Sequence, residues 1–436
     1  MLFEIASATM FGGLAGLAFL KKSALVNDAE KIQKICYNCK LTVKENGDIK
    51  TIQLHRKEKH DWGTEYVYRI PLGLSFSDFE GKLDHIRDGL NNKKTYIDFK
   101  RFLQLNFETN LLTQIRDIFQ TRSSVHQKDV ELEFDGMLRV KVLCNDLPTN
   151  LLFDETMLDE CSNWEIPLGQ TRYGFITHDL EQGHITLAGA TRKGKTVLLK
   201  LIISTVIHQN PEHVKLSLID LKGGLAFTRF KNAKQVESVA TDLESALEVL
   251  TKVKNEMKET EREFDQNGCE DIKEAGIRTR HIIVVDEAAQ ISPNIVTGKD
   301  KKEKAKQCEE ALSEIARIGA GLGYRLIYCS QYPKAEVMNA QIKQNCDTVI
   351  TYKLRDAVAS RVVLDESGAE SLPIPGRAIY KTPDGTQIVQ TPFIDNDQID
   401  KLIKPHIVIR PRKEQRESDI GERKTRRSDT FELTEM

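Results

Sequence analysis

The chain has 436 residues, room for two or three domains, and its 63 Lys and Arg against 65 Asp and Glu leave a net charge of −2. That excludes the global basic field of many nucleic-acid binders, so any contact with nucleic acid runs through a local surface. Eight cysteines, mostly scattered and several inside apolar runs, fit a reducing cytosol.

Residues 2–20 are apolar apart from Glu4, and Lys21 and Lys22 come directly after them. A helix of that length spans about 28 Å, close to the roughly 30 Å of a bilayer core. The reading is a single membrane anchor, with a signal peptide or a buried core helix as alternatives. Lys21 and Lys22 then place the rest of the chain in the cytoplasm. Gly12 and Gly16, spaced G-x-x-x-G, either pack one anchor on another or simply face lipid.

Residues 31–148 read as mixed α and β. A hairpin is expected over 39–55, turning at Asn46-Gly47-Asp48. A strand comes next over 65–70, then an amphipathic helix over 78–90, and a second hairpin over 130–142, turning at Asp135-Gly136. The Phe- and Leu-rich stretch 96–119 has helical spacing. Cys36 and Cys39 form C-x-x-C, either half of a zinc site or a pair of ordinary thiols, and no partner pair occurs at finger-like spacing. No catalytic constellation lies here, and the segment reads as an interaction or spacer module.

After short strands and turns over 151–183, an apolar run enters Gly189-Ala190-Thr191-Arg192-Lys193-Gly194-Lys195-Thr196, and an apolar helix comes after it. This is G-x-x-x-x-G-K-[ST] in the strand, loop, helix setting that a phosphate-binding loop requires. The glycines let backbone N–H groups turn inward around a polyphosphate, and the helix dipole adds to their pull. Lys195 is placed to meet the β- and γ-phosphates of ATP, and Thr196 to hold Mg²⁺.

Beyond it, a strand over 214–219 ends at Asp220-Leu221-Lys222-Gly223-Gly224, where ligands bind in parallel sheets. Val239, Leu243, Leu247, Leu250, Val253 and Met257 mark a long amphipathic helix whose stripe is core packing. The run 281–285 is a buried strand delivering Asp286, as a second Mg²⁺ holder, and Glu287, to polarise the attacking water. The lysine-rich run 299–306 reads as a solvated helix face. A strand over 325–329 brings Gln331 to its end as a γ-phosphate sensor. Later strands cover 348–353 and 377–380, and the charged tail from 410 reads as disordered.

Taken together, the 189–196 loop, Asp220-Leu-Lys222, Val285-Asp286-Glu287, Ser330-Gln331-Tyr332-Pro333, Ile342-Lys343-Gln344-Asn345, Ser360-Arg361 and Gly368-Ala-Glu-Ser371 resemble the FtsK/SpoIIIE DNA-translocase ATPases. The single anchor and Glu65-Tyr-Val-Tyr68-Arg-Ile-Pro71-Leu-Gly73 resemble the smaller branch, the coupling proteins of Gram-positive conjugative elements. The resemblance implies a RecA-like P-loop NTPase motor, a homo-hexameric ring with DNA in its channel, and ATP sites between subunits. It implies a DNA contact at Lys343. Where many relatives carry an arginine before the Gln331 strand, this chain has Gly319-Ala320-Gly321-Leu322-Gly323, so Arg361 or Arg317 is expected to reach a neighbour's ATP. Val349 stands where relatives often have a further arginine. No room is expected after the motor for a winged-helix DNA reader.

The expected architecture is therefore an anchor over 1–22, a smaller α+β domain over 23–150, an α/β motor over 151–405 and a tail over 406–436. The expected activity is ATP hydrolysis driving conjugative-element or plasmid DNA, at the cell membrane with the motor in the cytoplasm. A relaxase and transfer-channel proteins are the expected partners. The alternatives are a type VII-like protein-secretion ATPase, usually built from tandem motors, and a nucleotide-gated scaffold that recruits a relaxase to a membrane pore.

Overall fold

A computed structural model describes residues 28–45, 47–91, 128–144 and 147–408. The expected anchor over 1–22, the helical stretch 96–119 and the tail from 409 lie outside the described residues. Among the described residues no helix is long and apolar enough to cross a membrane. The chain divides into two units, Met1–Pro148 with Gln170–Gly174, and Thr149–Gly169 with Phe175–Met436.

In the first unit, α1 (Asp28–Asn38) precedes a small antiparallel pair, β1 (Val43–Glu45) and β2 (Asp48–Lys50). The expected hairpin is thus shorter than residues 39–55, and β3 (Gln53–His60) pairs instead with β4 (Gly63–Arg69). Sequence patterning hides β3 because its residues are nearly all exposed and polar, with charges at Arg56, Lys57, Glu58 and Lys59 that keep a sheet edge from recruiting other chains. The expected helix over 78–90 is two helices, α2 (Phe76–Glu80) and α3 (Leu83–Leu90). Ser75 and Asp78 close a capping box on α2, and the Gly81 N–H donates back to Ser77, ending the helix. With β5 (Asp129–Phe134) and β6 (Leu138–Leu143), the sheet runs β3-β4-β6-β5. Leu138, Val140 and Val142 alternate inward and pack with Ile32, Tyr68, Phe79 and Ile86. Cys36 is buried in this core, which pushes its thiol up to about 12, and all eight cysteines are free thiols.

In the second unit the strands are β7 (Glu165–Thr171), β8 (Gly174–Asp179), β9 (Ile185–Ala188), β10 (Val214–Asp220), β11 (Val236–Ala240), β12 (Arg280–Asp286), β13 (Tyr324–Ser330), β14 (Thr348–Tyr352), β15 (Arg377–Thr382) and β16 (Gly385–Gln390). They form one sheet in the order β11-β10-β12-β13-β9-β14-β15-β16-β7-β8. From β11 to β14 all pairings are parallel, and β14, β15 and β16 pair antiparallel.

The interleaved helices are α4 (Lys195–Gln209), α5 (Leu243–Asn267), α6 (Lys299–Ile318), α7 (Ala340–Gln344), α8 (Ala357–Leu364) and α9 (Asn396–Ile403). Along β12, Ile282 and Val284 face the core shared with α4 and α9, whereas Ile283 and Val285 face the one shared with α5 and α6. Helices on both faces explain why this strand reads as an unbroken apolar run. Val239 is a correction: it belongs to β11 and keeps step with the α5 stripe by coincidence. The helix begins after Asp242, which caps Ser245, and ends at the left-handed Gly268.

Three histidines are buried in this unit, each with a neutral hydrogen-bond partner, and His281 Nδ1 also lies 3.6 Å from the Glu256 carboxylate. His178 Nδ1 meets the Tyr380 hydroxyl at 2.9 Å, His184 Nδ1 accepts from the Leu326 N–H at 2.9 Å, and His281 Nε2 meets Ser217 Oγ at 2.9 Å. Burial pushes each imidazole down to about 4. A depressed folded pKa contributes stability that is full above the ordinary 6.5 and is lost as pH falls toward 4. The expected loss is about 3 kcal/mol per histidine. Urea midpoints measured between pH 7.5 and 4.5 should fall steeply below pH 6.5, and a flat profile would refute the neutral assignment.

Candidate active site

The loop between β9 and α4 is held at both flanks. Gly189 N–H donates to the Ser330 carbonyl at 3.2 Å and Ala190 N–H to that of Lys353 at 3.0 Å, which ties the loop to the ends of β13 and β14. Arg192 and Gly194 turn the chain through positive φ, 63° and 128°. A Cβ on Gly194 would come within 2.6 Å of the buried Tyr352 ring, and one on Gly189 within 2.7 Å of Tyr352 Cβ. Glycine is therefore required at both positions for the backbone to pass over this ring.

Lys195 opens α4 and points across the sheet edge to Asp286 at the end of β12, with which it forms a buried ion pair. Burial opposes the ammonium, but the facing Asp286 and Glu287 carboxylates outweigh it and hold the Lys195 pKa above its ordinary value. Glu287 comes next in the left-handed region, φ 66° and ψ 57°, at a cost of roughly 1 kcal/mol that the surrounding structure must sustain. Its Oε1 accepts from the Gln331 N–H at 3.3 Å. Lys222 Nζ lies 2.9 Å from Oε2, an ion pair by distance although it lacks hydrogen-bond alignment.

Because β13 lies between β9 and β12, Gln331 stands between the loop and the carboxylates, and its side-chain oxygen accepts from Thr191 Oγ1 at 3.2 Å. A cavity of about 410 Å³ opens over the loop. Residues 190–192, 194–197 and Gln331 line one side, and 375–376 and 390–393 the other. The second wall is pinned to the loop by the Gly376 N–H, which donates to the Lys193 carbonyl at 2.8 Å. This size is that of a small-ligand site. A glycine turn that opens a helix suits a polyphosphate, and the Thr196 hydroxyl and Asp286 carboxylate are the hard oxygen donors that Mg²⁺ takes.

Other expected residues lie elsewhere. Arg361 is exposed on α8 and Arg317 on the last turn of α6, and neither lines this cavity. Lys343 sits on α7 with its Nζ 2.6 Å from Asp365 Oδ1. Glu287 borders a second, separate cavity in this structure. Sequence reasoning did not pair Lys222 with Glu287; the signal was there in Asp220-Leu-Lys222-Gly-Gly at the carboxyl end of a parallel strand.

Among known proteins, the chain is similar to the DNA translocase FtsK of Leptospira interrogans, serovar copenhageni, at 25% identity over 323 residues, which cover 70% of this chain and 33% of that protein. It is 30% identical over 214 residues to the DNA translocase FtsK of Treponema pallidum, covering 46% of this chain and 25% of that one. The chain thus spans a third or less of these relatives. A similar solved structure is the monomer form of the pCW3 conjugation coupling protein TcpA with ATPgS, with a TM-score of 0.57 at 20% identity. That match covers 87% of this chain and 99% of that one, and shows a shared fold. The FtsK/SpoIIIE family model matches residues 141–368, more than half of the chain, and the chain belongs to that family.

Proposed function

We propose that the chain is a membrane-anchored, ATP-driven DNA translocase, a coupling protein that moves conjugative-element or plasmid DNA. The observation that carries the reading is the convergence of Lys195, Asp286, Glu287 and Gln331 on the carboxyl edge of one parallel sheet beside a phosphate-sized loop. A scaffold that merely bound nucleotide would have no use for the second carboxylate. Family membership and the coupling-protein fold support DNA as the cargo.

In this reading the loop 189–196 holds the phosphates of ATP through N–H groups other than those of Gly189 and Ala190, which bond the Ser330 and Lys353 carbonyls. Lys195 leaves Asp286 for the β- and γ-phosphates, and Thr196 and Asp286 take the Mg²⁺, which supplies charge neutralisation when bound. Glu287 orients water and Gln331 senses the γ-phosphate beside it. Arg361 acts on the neighbouring subunit's nucleotide in a RecA-like hexameric ring. Lys343 faces DNA once released from Asp365, and residues 1–22 anchor the motor on the cytoplasmic side, near a relaxase and transfer-channel proteins.

The deciding measurement is ATPase rate with and without DNA, for the full chain and for a variant lacking residues 1–22. DNA should stimulate both proteins, and the truncation should leave the membrane fraction. A rate indifferent to DNA would sink the translocase reading, and persistent membrane pelleting of the truncation after carbonate washing would sink the anchor.

A further inference from the structure

Beside the nucleotide cavity lies a second one of about 480 Å³, and the two share no lining residue. It opens at the carboxyl edge of the sheet, where Lys222 comes after β10, Glu287 after β12, Tyr332 and Lys334 after β13, and Arg355 after β14. Lys334 and Arg355 are exposed, and among the described residues neither side chain has an ion-pair partner. Their charges face one exposed carboxylate, Glu336. The third cation, Lys222, is held against Glu287, which is only 2% exposed and whose Oε2 has no aligned hydrogen bond. In this arrangement Glu287 borders the basic cavity and not the nucleotide cavity.

We propose that this cavity binds backbone phosphates of a nucleic acid through Lys222, Lys334 and Arg355, and that their binding draws Lys222 away from Glu287. The inference rests on the ATPase reading above, in which Glu287 must reach water beside the γ-phosphate. A carboxylate whose Oε1 accepts from Gln331 and whose Oε2 faces an ammonium is held in direction, away from the nucleotide cavity. A phosphate entering among the three cations competes for Lys222 with a charge-assisted contact, and Glu287 is released to turn toward the nucleotide. Tyr332, 57% exposed at the same mouth, favours nucleic acid over a free polyphosphate, because its ring offers a base a stacking surface that a polyphosphate cannot use. Cargo binding and hydrolysis would then be coupled through one side chain.

The test uses the full chain in detergent with two variants, Lys222→Gln and the double variant Lys334→Gln/Arg355→Gln. The readouts are ATPase rate with and without a labelled 30-base DNA, single and double stranded, and DNA anisotropy across salt. Lys222→Gln should raise the DNA-free rate roughly 5-fold, the factor expected on releasing an ion pair of this exposure, and bring the stimulation ratio toward one. The double variant should weaken DNA binding about 10-fold and flatten the log–log salt slope by about 2. Proportional loss of both rates in Lys222→Gln would overturn the restraint, since the lysine would then be supporting the reaction. Unchanged DNA binding in the double variant would overturn the site, and loss of inorganic tripolyphosphate binding alone would assign it to a free polyphosphate instead. Absence of turnover in the wild type would instead refute the ATPase reading, with the anisotropy arm still deciding the cavity.

Discussion

Glu287→Gln should lower ATP turnover by about 100-fold to 10,000-fold while leaving nucleotide bound, and Lys195→Ala should lose both turnover and binding. The difference comes from where each side chain sits. Glu287 touches Gln331 and Lys222 and does not line the nucleotide cavity, so the amide changes the proton acceptor and leaves the phosphate cradle intact. Lys195 lines the cavity and also neutralises the buried Asp286, so its removal strips a phosphate ligand and leaves an uncompensated carboxylate in the interior. Retained nucleotide after gel filtration, scored beside the steady-state rate, separates the two. Wild-type turnover by Glu287→Gln would remove Glu287 from the reaction, and tight ATP retention by Lys195→Ala would remove Lys195 from phosphate binding.

The elements of the second unit are legible because two-sided burial writes itself as long apolar runs. Residues 282–285 are apolar throughout, lying between helices on both sides, and residues 198–207, interrupted only by Lys200, Ser204 and Thr205, are buried nearly all round. Elements at edges do not announce themselves in this way. β3 carries an almost wholly exposed, polar run, and β7 and β8, at the far end of the large sheet, read only as short strands and turns. Val239 shows the limit of periodicity: a strand residue can fall in phase with the helix after it. In the site, residue types at strand ends were legible because the chemistry demands them, but partner choice was not. Nothing in the order of residues says that Lys222 faces Glu287, that Tyr352 lies under Gly189 and Gly194, or that Asp365 holds Lys343. Those contacts depend on strand order, which places β10 and β13 beside β12.

The same dependence on strand order hides a demanding electrostatic arrangement at the opposite end of the sheet from the nucleotide cavity. Glu181, in the turn before β9, accepts a bidentate pair from Arg280 at 2.7 and 2.9 Å and a further contact from Arg325 at 3.3 Å. Both guanidiniums are nearly buried, 5% and 3% exposed. Arg280 also donates to the Ile277 carbonyl and lies over the Trp164 ring, and Arg325 donates to the carbonyls of Leu180 and Ala320. The cluster thus joins the amino ends of β9, β12 and β13, whose carboxyl ends carry Ala188, Asp286 and Ser330. Glu181→Ala should cost about 3–5 kcal/mol, because it leaves two charges inside without their counterion. That corresponds to a melting temperature lower by roughly 10 °C for a unit of this size. Burial works against the Glu181 carboxylate, but Arg280, Arg325 and Lys273 outweigh it and hold its pKa below the ordinary 4.5. A depressed carboxyl contributes stability that is full above the ordinary value and is lost as pH falls through the folded one, below the range in which the histidines act. The variant should therefore lack the final acid limb of the wild-type stability profile while keeping the histidine limb between pH 6.5 and 4. Equal melting temperatures for Glu181→Ala and wild type at pH 7.5 would show that water, and not this carboxylate, compensates the two arginines.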